Sequence, residues 1–145
     1  MKVVIQRSLE SAVLVEDEII SRIDKGLVLL VCLEKGDDDK TIEKAASKIL
    51  NLRCFEDKVS QKMNVNIIDS GGAILAISQF TLSWNGQKGN RPGFDNSMPP
   101  DQAHVFFEKF CNILSQKVEI QTGKFGAHMK VQIINDGPVT FHLVF

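Results

Sequence analysis

Residues 27–33, Leu-Val-Leu-Leu-Val-Cys-Leu, constrain the fold more than any other stretch, because seven consecutive apolar residues lie between Gly26 and the charged pair Glu34 and Lys35. In an extended chain successive side chains point to opposite faces, so an unbroken apolar run needs cover on both sides. It is far too short to cross a bilayer, which takes roughly 20 apolar residues as a helix. Residues 26–33 therefore read as a strand buried on both faces inside a layered domain. Residues 2–7, 12–15 and 19–23 alternate apolar and polar side chains and read as short, half-buried strands. The chain starts all-β.

The periodicity then changes. Asp37, Asp38 and Asp39 supply N-cap candidates for a helix in which Ile42, Ala45, Ala46, Ile49 and Leu50 recur at three- and four-residue steps. Pro99 and Pro100 open a second helix where proline is tolerated, with Ala103, Phe106, Phe107, Phe110, Ile113 and Leu114 as its apolar stripe. Between the helices, residues 52–55 and 73–80 read as strands. Residues 57–66 read as polar loop, and residues 83–100 form a long turn-rich segment of the kind that carries function. Residues 118–122, 129–135 and 139–145 complete the chain as strands. Two helices among about nine strands, in the order ββββ-α-ββ-α-βββ, predict an α+β class: a single domain over residues 1–145, its helices packed on a curved β-sheet or partial barrel.

With 43% hydrophobic and 24% charged residues, 145 residues suffice for one substantial core. The net charge of −1 gives no global pull toward nucleic acid, and a local basic face is compatible with it. Cys32, Cys54 and Cys111 are odd in number and widely spaced, which argues against a disulfide framework and a cysteine zinc site and for small buried hydrophobes. The first residues reach charge too soon for a signal segment, so a cytoplasmic protein with no membrane partner is expected.

Two strings stand apart. Ser78-Gln79-Phe80-Thr81-Leu82 follows the apolar residues 73–77 directly, placing hydroxyls and an amide at the end of a buried strand, where each needs a partner or a ligand. Asn135-Asp136-Gly137-Pro138-Val139-Thr140 puts a residue free to take positive φ and one with fixed φ between two strand-like stretches. The usual zinc-protease, serine-hydrolase, P-loop and dinucleotide signatures are absent from the sequence. His104, His128 and His142 read as solvated or core-edge residues. Thr81 is the obvious hydroxyl nucleophile, yet nothing near it in sequence would activate it; strand-end hydroxyls capping backbone groups, and a plain turn at Gly137-Pro138, are the simpler alternatives.

At these residues the sequence closely resembles the D-aminoacyl-tRNA deacylases, whose hallmark strings S-Q-F-T-L and N-x-G-P-V-T both occur without substitution. The likeness covers nearly the whole chain. It takes in Val4-Ile5-Gln6-Arg7, Glu34-Lys35-Gly36-Asp37, Asn51-Leu52-Arg53, Lys62-Met63-Asn64, Lys88-Gly89 with Arg91-Pro92, and Thr122-Gly123 with Phe125-Gly126-Ala127 and Met129.

The resemblance implies hydrolysis of the ester joining a D-amino acid to the terminal ribose of tRNA, by a homodimer, with no metal and no cofactor. It implies a cis peptide at Gly137-Pro138 that enters the other subunit's site and excludes an L side chain by steric clash, a filter that glycine mischarged on alanine tRNA would pass. Catalysis would use the substrate's own 2′-OH, with Ser78, Gln79, Phe80 and Thr81 forming the catalytic pocket, Phe80 against the terminal adenine, and Gly126, Ala127 and Met129 lining it. Arg7 is expected to hold the Gly137-Pro138 loop through its five donors. Lys88 and Arg91 are the tRNA phosphate candidates. Gln87 and Asn90 stand where the family often has arginine, and Cys32 where it commonly has glycine. Two rivals remain: a non-catalytic RNA-binding module, which would bind without turnover, and a Thr81-dependent esterase, which would cleave esters lacking a vicinal hydroxyl.

Overall fold

The computed structural model describes residues 1–87 and 89–145. Its framework is a strongly curved, nearly closed mixed sheet with three helices. Strand β1 (Lys2–Val15) is long and bent; β2 (Glu18–Ile23) and β3 (Gly26–Cys32) follow it antiparallel, β2 against its second half and β3 against its first. Helix α1 (Asp39–Leu50) leads to a small hairpin, β4 (Phe55–Glu56) and β5 (Met63–Val65), and then to the short α2 (Ile67–Ser70). Strand β6 (Ala73–Ser78) pairs parallel with β3 and runs into a 3-10 turn, Phe80–Ser83. Helix α3 (Pro100–Ser115) precedes β7 (Ile120–Thr122), parallel to β6, and β8 (Lys130–Val144), antiparallel to β1.

Strand β3 explains the two-layer core. Leu27, Leu29 and Val31 face one cluster with Ile74, Ala76 and the apolar stripes of α1 and α3; Val28 faces a second cluster with Val13, Ile23, Leu75 and Ile77. Every residue of the 27–33 run except Leu30 is buried, as its apolar character demands. In α1 the five residues read as its inner face are the buried ones, and Asp38 caps the helix by accepting from the Thr41 N–H and hydroxyl, each at 2.8 Å. At Gly26 a Cβ would lie 1.8 Å from the Ala73 carbonyl oxygen, so glycine allows β3 and β6 to start side by side.

Several sequence expectations need correction. Among the described residues the helices number three, because residues 67–70 form one helical turn capped by Asn66, whose side chain accepts from the Asp69 N–H. Residues 2–7 and 12–15 are one strand: the polar interval that suggested a break is a bulged part of β1 in which the buried Ser8 and Ser11 hydroxyls bond each other at 2.5 Å. The two stretches read at 129–135 and 139–145 likewise belong to one continuous strand, Lys130–Val144. Proline is tolerated there because Gly137 and Pro138 fall in a bulge, where the register on β1 passes from Thr140 opposite Gln6 to Asn135 opposite Ser8. The polar loop at 57–66 contains β5, and the strand that was expected to reach Phe80 ends at Ser78.

Candidate functional site

Strands β3 and β6 run parallel, so their carboxyl ends meet at one rim of the sheet, where Val31 pairs with Ser78. The Gln79 N–H donates to the Val31 carbonyl at 2.7 Å, and the chain then tightens into the 3-10 turn, closed by Leu82 N–H to the Gln79 carbonyl and Trp84 N–H to the Thr81 carbonyl. A cavity of about 550 Å³ opens at this rim. Ser78, Gln79 and Phe80 form one side of it, Gly126, Ala127 and Met129 another, and Phe94, Ser97 and Met98 a third. Its floor is apolar, made by Val31, Leu33, Ile77 and Val131, with hydroxyl and amide groups at the edge, the usual make-up of a small-ligand site.

Thr81 does not line the cavity. It is exposed on the turn, and its hydroxyl accepts from the Gln79 amide. Among the described residues no acid or base hydrogen-bonds to Thr81 Oγ1. Phe80 is 54% exposed and meets the Phe94 ring edge to face, with centroids 4.9 Å apart, so an aromatic surface is available at the cavity mouth. Several residues that sequence reasoning did not assign to the site belong to its wall, among them His128, read as solvated or core-edge, and Phe94, Ser97 and Met98 of the turn-rich segment. The signal for His128 was its position between Ala127 and Met129, both expected to line the pocket.

Gly137 and Pro138 are exposed and lie outside their own chain's cavity; their peptide bond is cis. Gly137 has φ of 122°, which favours glycine there, and a Cβ would also sit 2.8 Å from the Val139 side chain. The loop is tied from both sides. Asn135 donates to Thr140 Oγ1 at 3.1 Å and accepts from the Val139 N–H at 3.3 Å. Arg7, only 6% exposed, donates from Nε to the Asp136 carboxylate at 3.0 Å and carbonyl at 3.3 Å, and from Nη1 to the Cys54 carbonyl at 2.8 Å. Arg91 is exposed, and Lys88 lies outside the described residues.

Burial raises the Cys32 and Cys54 thiols to about 11 and Cys111 to about 12, with the Glu34 charge adding at Cys32 and the Glu108 charge at Cys111. None of the three is primed as a nucleophile. Among the described residues no three His, Cys, Asp or Glu side chains converge as a metal site, and no helix is long and apolar enough to cross a membrane.

A curved mixed sheet that holds an apolar cavity at the ends of parallel strands, edged by hydroxyl and amide groups, defines a small α+β ligand-processing domain. The chain belongs to the D-Tyr-tRNA(Tyr) deacylase family, whose model matches residues 4–144. It is 49% identical to a D-aminoacyl-tRNA deacylase of Saccharophagus degradans, with 99% of each chain covered, and 48% identical to one of Dichelobacter nodosus, with 96% of each covered. Among solved structures, the c-Myc DNA Unwinding Element Binding Protein superposes with a TM-score of 0.96 at 41% identity, covering 100% of this chain and 99% of that one. A probable eukaryotic D-amino acid tRNA deacylase shares the fold, with a TM-score of 0.78 at 17% identity and coverage of 98% and 97%.

Proposed function

We propose that this chain hydrolyses the ester of D-aminoacyl-tRNA, releasing free D-amino acid and tRNA, and that it acts as a chiral proofreader. Water adds to the ester carbonyl carbon, the bond from that carbon to the ribose 3′-oxygen breaks, and the 3′-oxygen takes a proton. The observation that carries the mechanism is the pairing of Thr81 with an amide instead of a base. Thr81, on the turn outside the cavity, accepts from Gln79 and so orients the amide that lines the cavity for positioning and for a developing oxyanion, and the neighbouring 2′-OH of the substrate supplies the activating group. Phe80 takes the terminal adenine, with Phe94 bracing its ring; Ser78, Gly126, Ala127 and Met129 line the pocket. Arg91, together with Lys88, contacts tRNA phosphates.

The working unit is a homodimer in which Gly137 and Pro138 of one subunit reach the cavity of the other. Support comes from their exposure away from their own cavity and from β8, which among the described residues pairs along one side only and leaves Ile134 and Val144 more than half exposed. Unpaired strand edges with exposed apolar residues favour association. A rigid turn over the α-carbon leaves room for hydrogen on one side, so an L side chain is excluded and glycine is not. Glycine mischarged on alanine tRNA is therefore a second substrate.

The test uses purified protein on matched D- and L-aminoacyl-tRNA, together with a D-aminoacyl substrate whose terminal ribose is 2′-deoxy. Hydrolysis of the D ester alone, retained in Thr81→Ala and nearly lost with the 2′-deoxy substrate, is expected. Equal rates on D and L esters would end the chiral reading; loss in Thr81→Ala with retention on the 2′-deoxy substrate would make Thr81 the nucleophile.

A further inference from the structure

Lys2, Glu34 and Asn96 come from three separated parts of the chain and meet beside the cavity. Lys2 Nζ lies 3.0 Å from Glu34 Oε1, with the two side chains 18% and 10% exposed. The same ammonium donates to the Leu82 carbonyl at 3.2 Å and the Ser83 carbonyl at 3.4 Å, which belong to the 3-10 turn that carries Phe80 and Thr81. On the other side, Asn96 Nδ2 donates to Glu34 Oε1 at 2.8 Å. Asn96 precedes Ser97 and Met98, which line the opposite wall, and that wall is bonded to the same strand end through Met98 N–H to the Leu33 carbonyl and Lys35 N–H to the Asn96 carbonyl.

We propose that Lys2, Glu34 and Asn96 are positioning residues that set the aperture of the cavity between the Phe80 turn and the Phe94–Met98 wall; this rests on the deacylase reading of that site. One carboxylate receives both donors, so the two walls are coupled through a single buried acceptor. Charge-assisted hydrogen bonds of this kind are short, directional and strong when water is excluded. The edge-to-face contact of Phe80 with Phe94 closes the bracket across the mouth. None of the three side chains lines the cavity, so their effect passes through the walls. Small displacements of positioned groups cost rate steeply, because catalysis that relies on orientation tolerates little misplacement.

The test compares Lys2→Met, Asn96→Ala and the double variant with the parent. The readouts are kcat and KM on D-aminoacyl-tRNA, thermal unfolding, and the emission of Trp84, the chain's only tryptophan, whose N–H closes the 3-10 turn. Each single variant is expected to lower kcat about tenfold with KM changed less than about twofold, and to shift Trp84 emission or its acrylamide quenching. The double variant matches the weaker single one, because both remove the same bracket. Lys2→Arg restores kcat. Asn96 is exposed, so Asn96→Ala reports even if Lys2→Met does not fold. Folded single variants with parental kcat and parental Trp84 emission, or a double variant whose losses multiply, would overturn the proposal. If the parent itself fails to hydrolyse D-aminoacyl-tRNA, the functional reading falls, and Trp84 emission still decides whether the bracket holds the turn.

Discussion

Arg7 offers the most quantitative prediction. Replacing it with methionine keeps most of the apolar stem and removes every donor, which isolates the polar contribution from packing. The Cys54 carbonyl, bonded to Arg7 Nη1 at 2.8 Å in a buried setting, loses that donor at a cost of about 1–3 kcal/mol. The Asp136 carboxylate is about a third exposed, so water recovers much of its lost pairing and it adds at most about 1 kcal/mol. The Glu56 contact is longer, at 3.8 Å and with Glu56 mostly exposed, and adds little. The sum is about 3 kcal/mol, which for a chain of this size lowers Tm by about 10 °C. Urea unfolding at fixed protein concentration measures it, since association would make the midpoint depend on concentration. Arg7→Lys, with one compact ammonium in place of a fork, should recover about half. Below the new Tm, Arg7→Met should also raise hydrolysis of the L ester relative to the D ester, because Asp136 directly precedes Gly137. A folded Arg7→Met losing under about 1 kcal/mol, with parental D selectivity, would refute the claim that this guanidinium holds the loop.

Two further outcomes follow from the electrostatics. Burial works to raise the Glu34 carboxyl, and hydrogen bonds from Lys2 and Asn96 with the charges of Lys2 and the chain's α-ammonium outweigh it, leaving it below its ordinary 4.5. A depressed folded value stabilises the fold above the unfolded one, so the parent's urea stability over Glu34→Gln should be full at pH 6 and shrink as pH falls from about 4.5 through the folded value. An advantage that grows on acidification would contradict this. The thiols, raised by burial, should resist iodoacetamide at pH 8 in the native protein and react at all three positions in urea, as read by mass spectrometry.

What the sequence determined by itself is local and periodic. The 27–33 run required cover on both faces, the spacing from Ile42 to Leu50 marked the inner face of α1, and Pro99-Pro100 marked the start of α3, because one-dimensional periods of about two and 3.6 residues map directly onto faces. The two hallmark strings pointed to the family. Tertiary structure alone decided the rest. The polar break at residues 8–11 disappears because Ser8 and Ser11 satisfy each other inside a bulge, a pairing no local rule foresees. The cavity exists because a parallel pairing brings Val31 beside Ser78, 47 positions later, and because the chain enters β8 at its rim, adding His128 and Met129 before the strand and Val131 within it. Arg7 reaches Asp136 across 129 positions for the same reason: β1 and β8 are neighbours in the sheet. Hydrogen bonds act over about 3 Å, and only the folded chain says which distant residues come within that reach.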